Sequence, residues 1–179
     1  MKVLLGLSRG IDALNDRIGV LAAWMVFLAV LLSAGNAFVR YSFSVGSNAW
    51  LELQWYMFSA MFLLGAAHTL RKNEHVRVDV LYSAVSDRVR LWIDILGLLL
   101  FFFPMTLLIL WLSIPDAVAS FKQGETSMNA GGLVRWPVRA LLPLGFALLI
   151  LQGVSELIKR VATLSGHLVI DTTYEKPLQ

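Results

Sequence analysis

Ile18–Val39 reads IGVLAAWMVFLAVLLSAGNAFV, 22 residues without a charge. At 1.5 Å per residue a helix of this length reaches roughly 33 Å, enough to cross the hydrocarbon core of a bilayer. The rest of the chain agrees. It has 179 residues, 58% hydrophobic and 15% charged, more apolar surface than a soluble domain of this size hides. In lipid every backbone polar group must be satisfied within the chain, and a long charge-free run does this as a helix. A secretory signal is the rival reading, with Gly35 and Ala37 as the small residues before a cleavage site. The apolar core of such a signal is only about 7 to 15 residues, so the run reads as a retained span.

Three further apolar stretches follow, Ala49–Leu70, Leu91–Ile114 and Val138–Ile158. The expected fold is all-α: an integral membrane bundle of four transmembrane helices (18–39, 49–70, 91–114, 138–158) forming one domain over 1–162, with a short tail at 163–179. Ahead of the first span, Lys2, Arg9, Asp12, Asp16 and Arg17 alternate with Leu4, Leu5, Leu7, Ile11 and Leu14, which predicts an amphipathic lead-in on the membrane surface. Trp50, Trp55 and Tyr56 open the second span and suit the headgroup level. From Val76 the apolar positions Val80, Leu81, Val85, Val89, Trp92, Ile93 and Leu96 recur at steps of mostly three and four, opposite Asp79, Ser83, Ser86, Asp87, Arg90 and Asp94. That pattern predicts an amphipathic surface helix leading into the third span. Pro104 predicts a kink in the middle of that span. Residues 115–135 form the longest connection, Trp136-Pro137 marks an interfacial turn, and Lys159-Arg160 terminates the fourth span.

Lys and Arg are distributed unevenly, and short cytoplasmic segments hold the excess. Lys2, Arg9, Arg17, Arg71, Lys72, Arg77, Arg88, Arg90, Lys159, Arg160 and Lys176 total eleven on one side, against Arg40, Lys122, Arg135 and Arg139, four on the other. Both termini and the 71–90 segment are therefore expected in the cytoplasm.

Several function classes fall away. There is no cysteine, hence no disulfide, thiolate zinc site or iron–sulfur ligation. The net charge of +3 is modest and its basic residues sit beside the spans, not in a stripe that would bind nucleic acid. Only His68 of three histidines lies in a span, against the facing axial ligands of a membrane haem protein. No GxxxxGK[ST] loop occurs, so the chain does not itself use ATP. No catalytic residue and no cofactor is expected.

Charged groups within or near a span are functional hypotheses. Glu52 reads either as an anchor at the positive end of a helix or as a buried contact to Arg40, Arg135 or a partner subunit. His68 reads as an interfacial polar residue. Asp94 stands four residues after Arg90, an intrahelical pair ahead of a proton relay, and Glu156 stands close to Lys159 and Arg160.

The polar strings resemble those of the small membrane subunit, the Q or DctQ-like subunit, of tripartite ATP-independent periplasmic (TRAP) transporters. Four spans with both ends cytoplasmic, Trp50-Leu51-Glu52 opening the second, Gly65-Ala66-Ala67 then His75-Val76-Arg77-Val78-Asp79 after it, and Trp136-Pro137 with Pro143-Leu144-Gly145 carry the likeness. The HVRVD string is the most specific of them. The resemblance covers most of the chain. It implies a scaffold subunit in a bacterial inner membrane, packed against a large TRAP membrane subunit that moves an organic acid with sodium, sodium being bound in that large partner and not here. It also implies a periplasmic substrate-binding protein docking on the outer face. Partner-interface candidates are Arg40, Trp50, Glu52, Trp55, His75, Arg77, Asp79, Arg135 and Trp136, with membrane lipid as the remaining neighbour. Two other classes stay open: a membrane anchor for a respiratory enzyme, and a self-associating small channel or exporter.

Overall fold

The computed structural model describes residues 1–73 and 85–168. They form four long helices, α1 (Lys2–Phe43), α2 (Asn48–Lys72), α3 (Asp87–Gln123) and α4 (Trp136–Leu164). Among the described residues the only β-type pairing is one isolated bridge, Thr126 with Val134. α1, α3 and α4 are long and apolar enough to cross a membrane. α2 has the length, but Glu52, Gln54 and His68 dilute its apolar run.

α1 differs from expectation. No separate surface lead-in precedes the first span; one helix of 42 residues runs through both segments. The reason is that the polar residues of the first half find partners inside the bundle. Ser8 and Asn15 are buried against α4, so this half does not need the headgroup layer to satisfy its polar face.

α3 was expected to end before Pro115, yet it continues through that proline to Gln123. A proline inside a helix forfeits one hydrogen bond, here the one to the Trp111 carbonyl, and a membrane helix tolerates this through local adjustment and its neighbours; one residue before that carbonyl, Ser113 Oγ donates to the Leu110 carbonyl at 2.9 Å. Around Pro104 the helix widens instead of simply kinking. Leu98–Phe102 form a π turn, closed by the Phe103 N–H on the Leu98 carbonyl, and Thr106 Oγ1 donates to the Phe102 carbonyl at 2.7 Å. The widened turn accommodates the ring that would clash in a regular ladder.

α4 likewise passes its expected end. Lys159 and Arg160 do not terminate it, because carboxylates from α1, α3 and α4 neutralise them, and the helix runs to Leu164. Of the predicted surface helix, the part within 74–84 lies outside the described residues; from Asp87 onward it is the first turns of α3. Of the predicted tail, 169–179 lie outside the described residues.

α4 is the hub. It packs against all three other helices, α1 also packs along α2, and α3 packs chiefly on α4. The contacts use small residues, as expected where no hydrophobic force drives helices together in lipid. Ala22, Ala29, Ala67 and Ala162 are buried. A Cβ on Gly145 would lie 2.7 Å from the Leu63 carbonyl oxygen, and one on Gly153 would lie 2.4 Å from the Phe102 ring. These two glycines set how closely α2 and α3 approach α4. Large apolar side chains such as Trp24, Phe62, Phe101 and Trp111 point outward.

Candidate functional site

Two polar constellations stand at opposite ends of the bundle. At the loop end, where α1 turns into α2 and α3 into α4, the 124–135 segment folds over the start of α2. Its shape begins with Gly124, whose φ of 57° ends α3. The Gly124 N–H bonds to the Phe121 carbonyl and the Glu125 N–H to that of Ser120, a Schellman closure. The chain then doubles back: Ser127 N–H donates to the Leu133 carbonyl at 2.9 Å, Arg135 N–H to that of Glu125 at 2.8 Å, and Gly132 N–H to that of Asn129 at 2.9 Å.

α2 grips this segment from one face. Asn48, Glu52 and Tyr56 are four residues apart, hence stacked on one stripe. Asn48 Nδ2 donates to the Ala130 carbonyl at 3.0 Å and Tyr56 OH to that of Val134 at 3.2 Å. Between them Glu52, only 6% exposed, accepts from the Ser127 hydroxyl, from Asn129 Nδ2 at 2.8 Å and from the Leu133 N–H at 2.7 Å. One carboxylate thus organises a loop that otherwise has little regular structure. Behind it, Arg139 on α4 pairs with Asp116 and, at 2.8 Å, with Glu125, while Arg135 reaches Glu125 at 3.3 Å. The guanidinium groups of Arg139 and Arg135 hold the Glu125 carboxyl below the usual glutamate value, against the opposing pull of burial.

At the other end, polar side chains of all four helices meet. Ser155 Oγ lies 2.7 Å from both Ser8 Oγ and Asp12 Oδ1; since a carboxylate only accepts, Ser155 donates to Asp12 and Ser8 to Ser155. Gln152 Nε2 donates to Asp12 at 2.9 Å and to Glu156 at 3.1 Å, and its carbonyl accepts from Asn15 Nδ2 at 2.7 Å. Lys159 bridges Asp12, at 3.3 Å, and Glu156. Arg160 joins Glu156 to Asp94 of α3, the latter at 2.9 Å. Asp16 meets Arg71 and, at 3.2 Å, His68, both on α2. The carboxylates of Asp12, Asp16, Asp94 and Glu156 are all engaged, and together these contacts clamp the four helices at this end. Among the described residues no cluster of three or more His, Asp or Glu is placed to hold a metal ion.

Of the residues singled out from sequence, Glu52 is the buried centre of the latch, and Arg135 and Trp136 flank it. Arg135 precedes α4, and the Trp136 ring packs edge-on against Phe121 at 5.3 Å. Trp50 and Trp55 point outward from α2, and Arg40 is exposed in the last turn of α1. His75, Arg77 and Asp79 lie outside the described residues. Asp94, expected to pair with Arg90, crosses to Arg160 of α4 at 2.9 Å, and Arg90 reaches Asp87 at 3.2 Å. His68 has a partner, Asp16. Sequence reasoning missed Asn48, Ser127 and Asn129 in the latch. It also missed Ser8, Asn15, Gln152 and Ser155 in the clamp. The signal was there: Ser8, Asp12 and Asn15 on α1 and Gln152, Ser155, Glu156 and Lys159 on α4 each keep the three-and-four spacing of a single stripe.

In the comparisons with known proteins, a family model described as Tripartite ATP-independent periplasmic transporters, DctQ component, matches residues 29–163. No curated protein and no solved structure matches.

Proposed function

Because the match spans most of its length, the chain belongs to the DctQ component family of tripartite ATP-independent periplasmic transporters, and from this we propose that it is the fixed scaffold of a sodium-coupled importer of organic acids. The family is one of transporter components, not of enzymes. In the proposed arrangement α2 also crosses the membrane, as the second of four spans, both termini face the bacterial cytoplasm, and sodium and substrate bind in a large partner subunit. The latched loop then faces the periplasm, where the substrate-binding protein delivers its cargo.

The observation that supports a scaffold is the clamp. A moving transport domain slides as a rigid body past a part that stays still, and the stationary part needs its own helices fixed to one another. Here α4 is bonded to α1 and α3 through buried or half-buried polar side chains, and α1 to α2 through Asp16.

The test is purification of the tagged chain from its native membranes in mild detergent, with mass spectrometry of co-purifying proteins. A large polytopic partner in near-equal amount is the expected result. Recovery of the chain alone or as a homo-oligomer refutes the reading and favours a self-sufficient channel. Within the assembled complex, Glu52→Lys is expected to lower transport through lost assembly or binding-protein docking. A fall in sodium affinity with assembly intact would overturn that assignment.

A further inference from the structure

The loop that Glu52 latches carries a methionine at its tip. Met128 stands between Ser127 and Asn129, and both neighbours bond to the Glu52 carboxylate, Asn129 at 2.8 Å. The Asn129 N–H also donates to Ser127 Oγ at 3.2 Å, a hydroxyl turn that closes the backbone around residue 128. The backbone is therefore held on both sides while the Met128 side chain is 99% exposed. None of the bonds that fasten the loop to α2 comes from that side chain.

The other five methionines are placed differently. Met25 and Met57 line an apolar cleft between α1 and α2, Met61 is half-buried on α2, and Met105 points outward from the apolar length of α3. Met1 lies at the opposite end of the bundle and is less exposed than Met128. Irregular backbone facing lipid would leave polar groups unsatisfied, so a loop such as 124–135 lies outside the hydrocarbon. Met128 is in water, whereas Met105 faces acyl chains.

We infer that Met128 is an oxidation site: its thioether takes one oxygen atom from small aqueous oxidants of the peroxide class, and the latch stays closed when it does. A sulfur lone pair attacks one peroxide oxygen, the S–O bond forms as the O–O bond breaks, and the departing hydroxide takes the proton of the transferred oxygen and leaves as water. Sulfur loses two electrons and the peroxide gains them. The product is methionine sulfoxide, which methionine sulfoxide reductases return to the thioether. An apolar tip becomes polar, while Ser127, Asn129 and Leu133 keep their bonds to Glu52. The inference goes beyond the scaffold reading and rests only on the loop lying in water.

Broken native membranes containing the chain are treated with dilute hydrogen peroxide, and sulfoxide at each methionine is followed over time by peptide mass spectrometry. An oxidant that carries hydroxyl groups is depleted at least about tenfold in hydrocarbon. Met128 is therefore expected to oxidise at least about tenfold faster than Met25, Met57, Met61 and Met105. Treated and untreated protein is then purified and compared by hydrogen exchange, and the amides of 124–135 are expected to be equally protected in both. Met128→Leu abolishes the fast oxidation and keeps that protection. A Met128 that oxidises no faster than the helical methionines, for instance because a partner subunit covers it, overturns the site. Loss of protection in the sulfoxide form overturns the closed latch. Neither result changes which proteins co-purify with the chain, so the scaffold proposal stands or falls separately.

Discussion

Replacing Gln152 by leucine keeps most of the side-chain volume and deletes the amide that connects α1 to α4. Three bonds go: one from Asn15 at 2.7 Å, one to Asp12 at 2.9 Å and one to Glu156 at 3.1 Å. Side-chain hydrogen bonds between membrane helices are worth about 0.6 kcal/mol on average and about 1.7 at most, so the loss is about 2 to 5 kcal/mol if all three count. Asn15→Leu removes only one of these bonds, and it also removes Asn15 Oδ1, which is buried without a partner. Its expected cost is therefore no more than about 1.5 kcal/mol. In the double variant the orphaned amide left by Gln152→Leu is gone, so the two costs are less than additive. The measurement is a titration of the purified membrane protein from mild detergent into sodium dodecyl sulfate, followed by circular dichroism. Equal costs for the two single variants, or strict additivity in the double, would refute the connection drawn between α1 and α4.

Gly145→Ala puts a methyl 2.7 Å from the Leu63 carbonyl oxygen, where backbone must yield; a loss of about 1 to 3 kcal/mol and a lower yield of folded protein are expected, while Gly35→Ala in open space changes neither. Pro104→Leu restores the donor that the π turn lacks; it is expected to alter thermal stability with substrate range unchanged, and an altered substrate range at normal complex yield would count against a scaffold. Glu125 is held below its ordinary value of 4.5, so its folded state is favoured while it is ionised. That contribution is present at neutral pH and is lost as pH falls through the depressed value. The protection of the amides of residues 124–135 against hydrogen exchange, taken relative to the intrinsic exchange rate at each pH, should therefore be the same at pH 5 as at pH 7 and fall only in stronger acid; a fall already between pH 7 and 5 would contradict the assignment.

The helices were legible because each is written as a long apolar run, and each predicted run lies within one helix of the structure. Their ends were not. Lys159, Arg160 and the residues Ser8, Asp12, Asn15 and Asp16 are local stop or surface signals, and each is overridden by a partner that is distant in sequence, whereas Pro115 is passed within its own helix. Arg160 finds Asp94, sixty-six residues away; Asp12 finds Ser155 across 143. Glu52 could be flagged as a costly buried charge, but its partners Ser127, Asn129 and the Leu133 N–H lie in a loop with no periodicity to read. The latch became visible only once that loop was folded over α2.

The distribution of these contacts bears on motion. Within nine residues α4 carries Gln152, Ser155, Glu156, Lys159 and Arg160, and they engage Asp12 and Asn15 of α1 and Asp94 of α3. Sliding α4 by one turn, about 5.4 Å, would part every one of these pairs at once. Breaking even one buried pair by removing a partner costs about 3 to 5 kcal/mol, and a slide would leave several charges unmatched together. At the loop end Glu52 and Arg139 fasten α2 and α4 to the same segment, so hinging there is opposed as well. Between the two ends the small-residue seam at Gly145 and Gly153 leaves little space for repacking. A helix bundle tied at both ends in this way resists the displacements that a transport domain must make, which is the property required of the part against which such a domain moves.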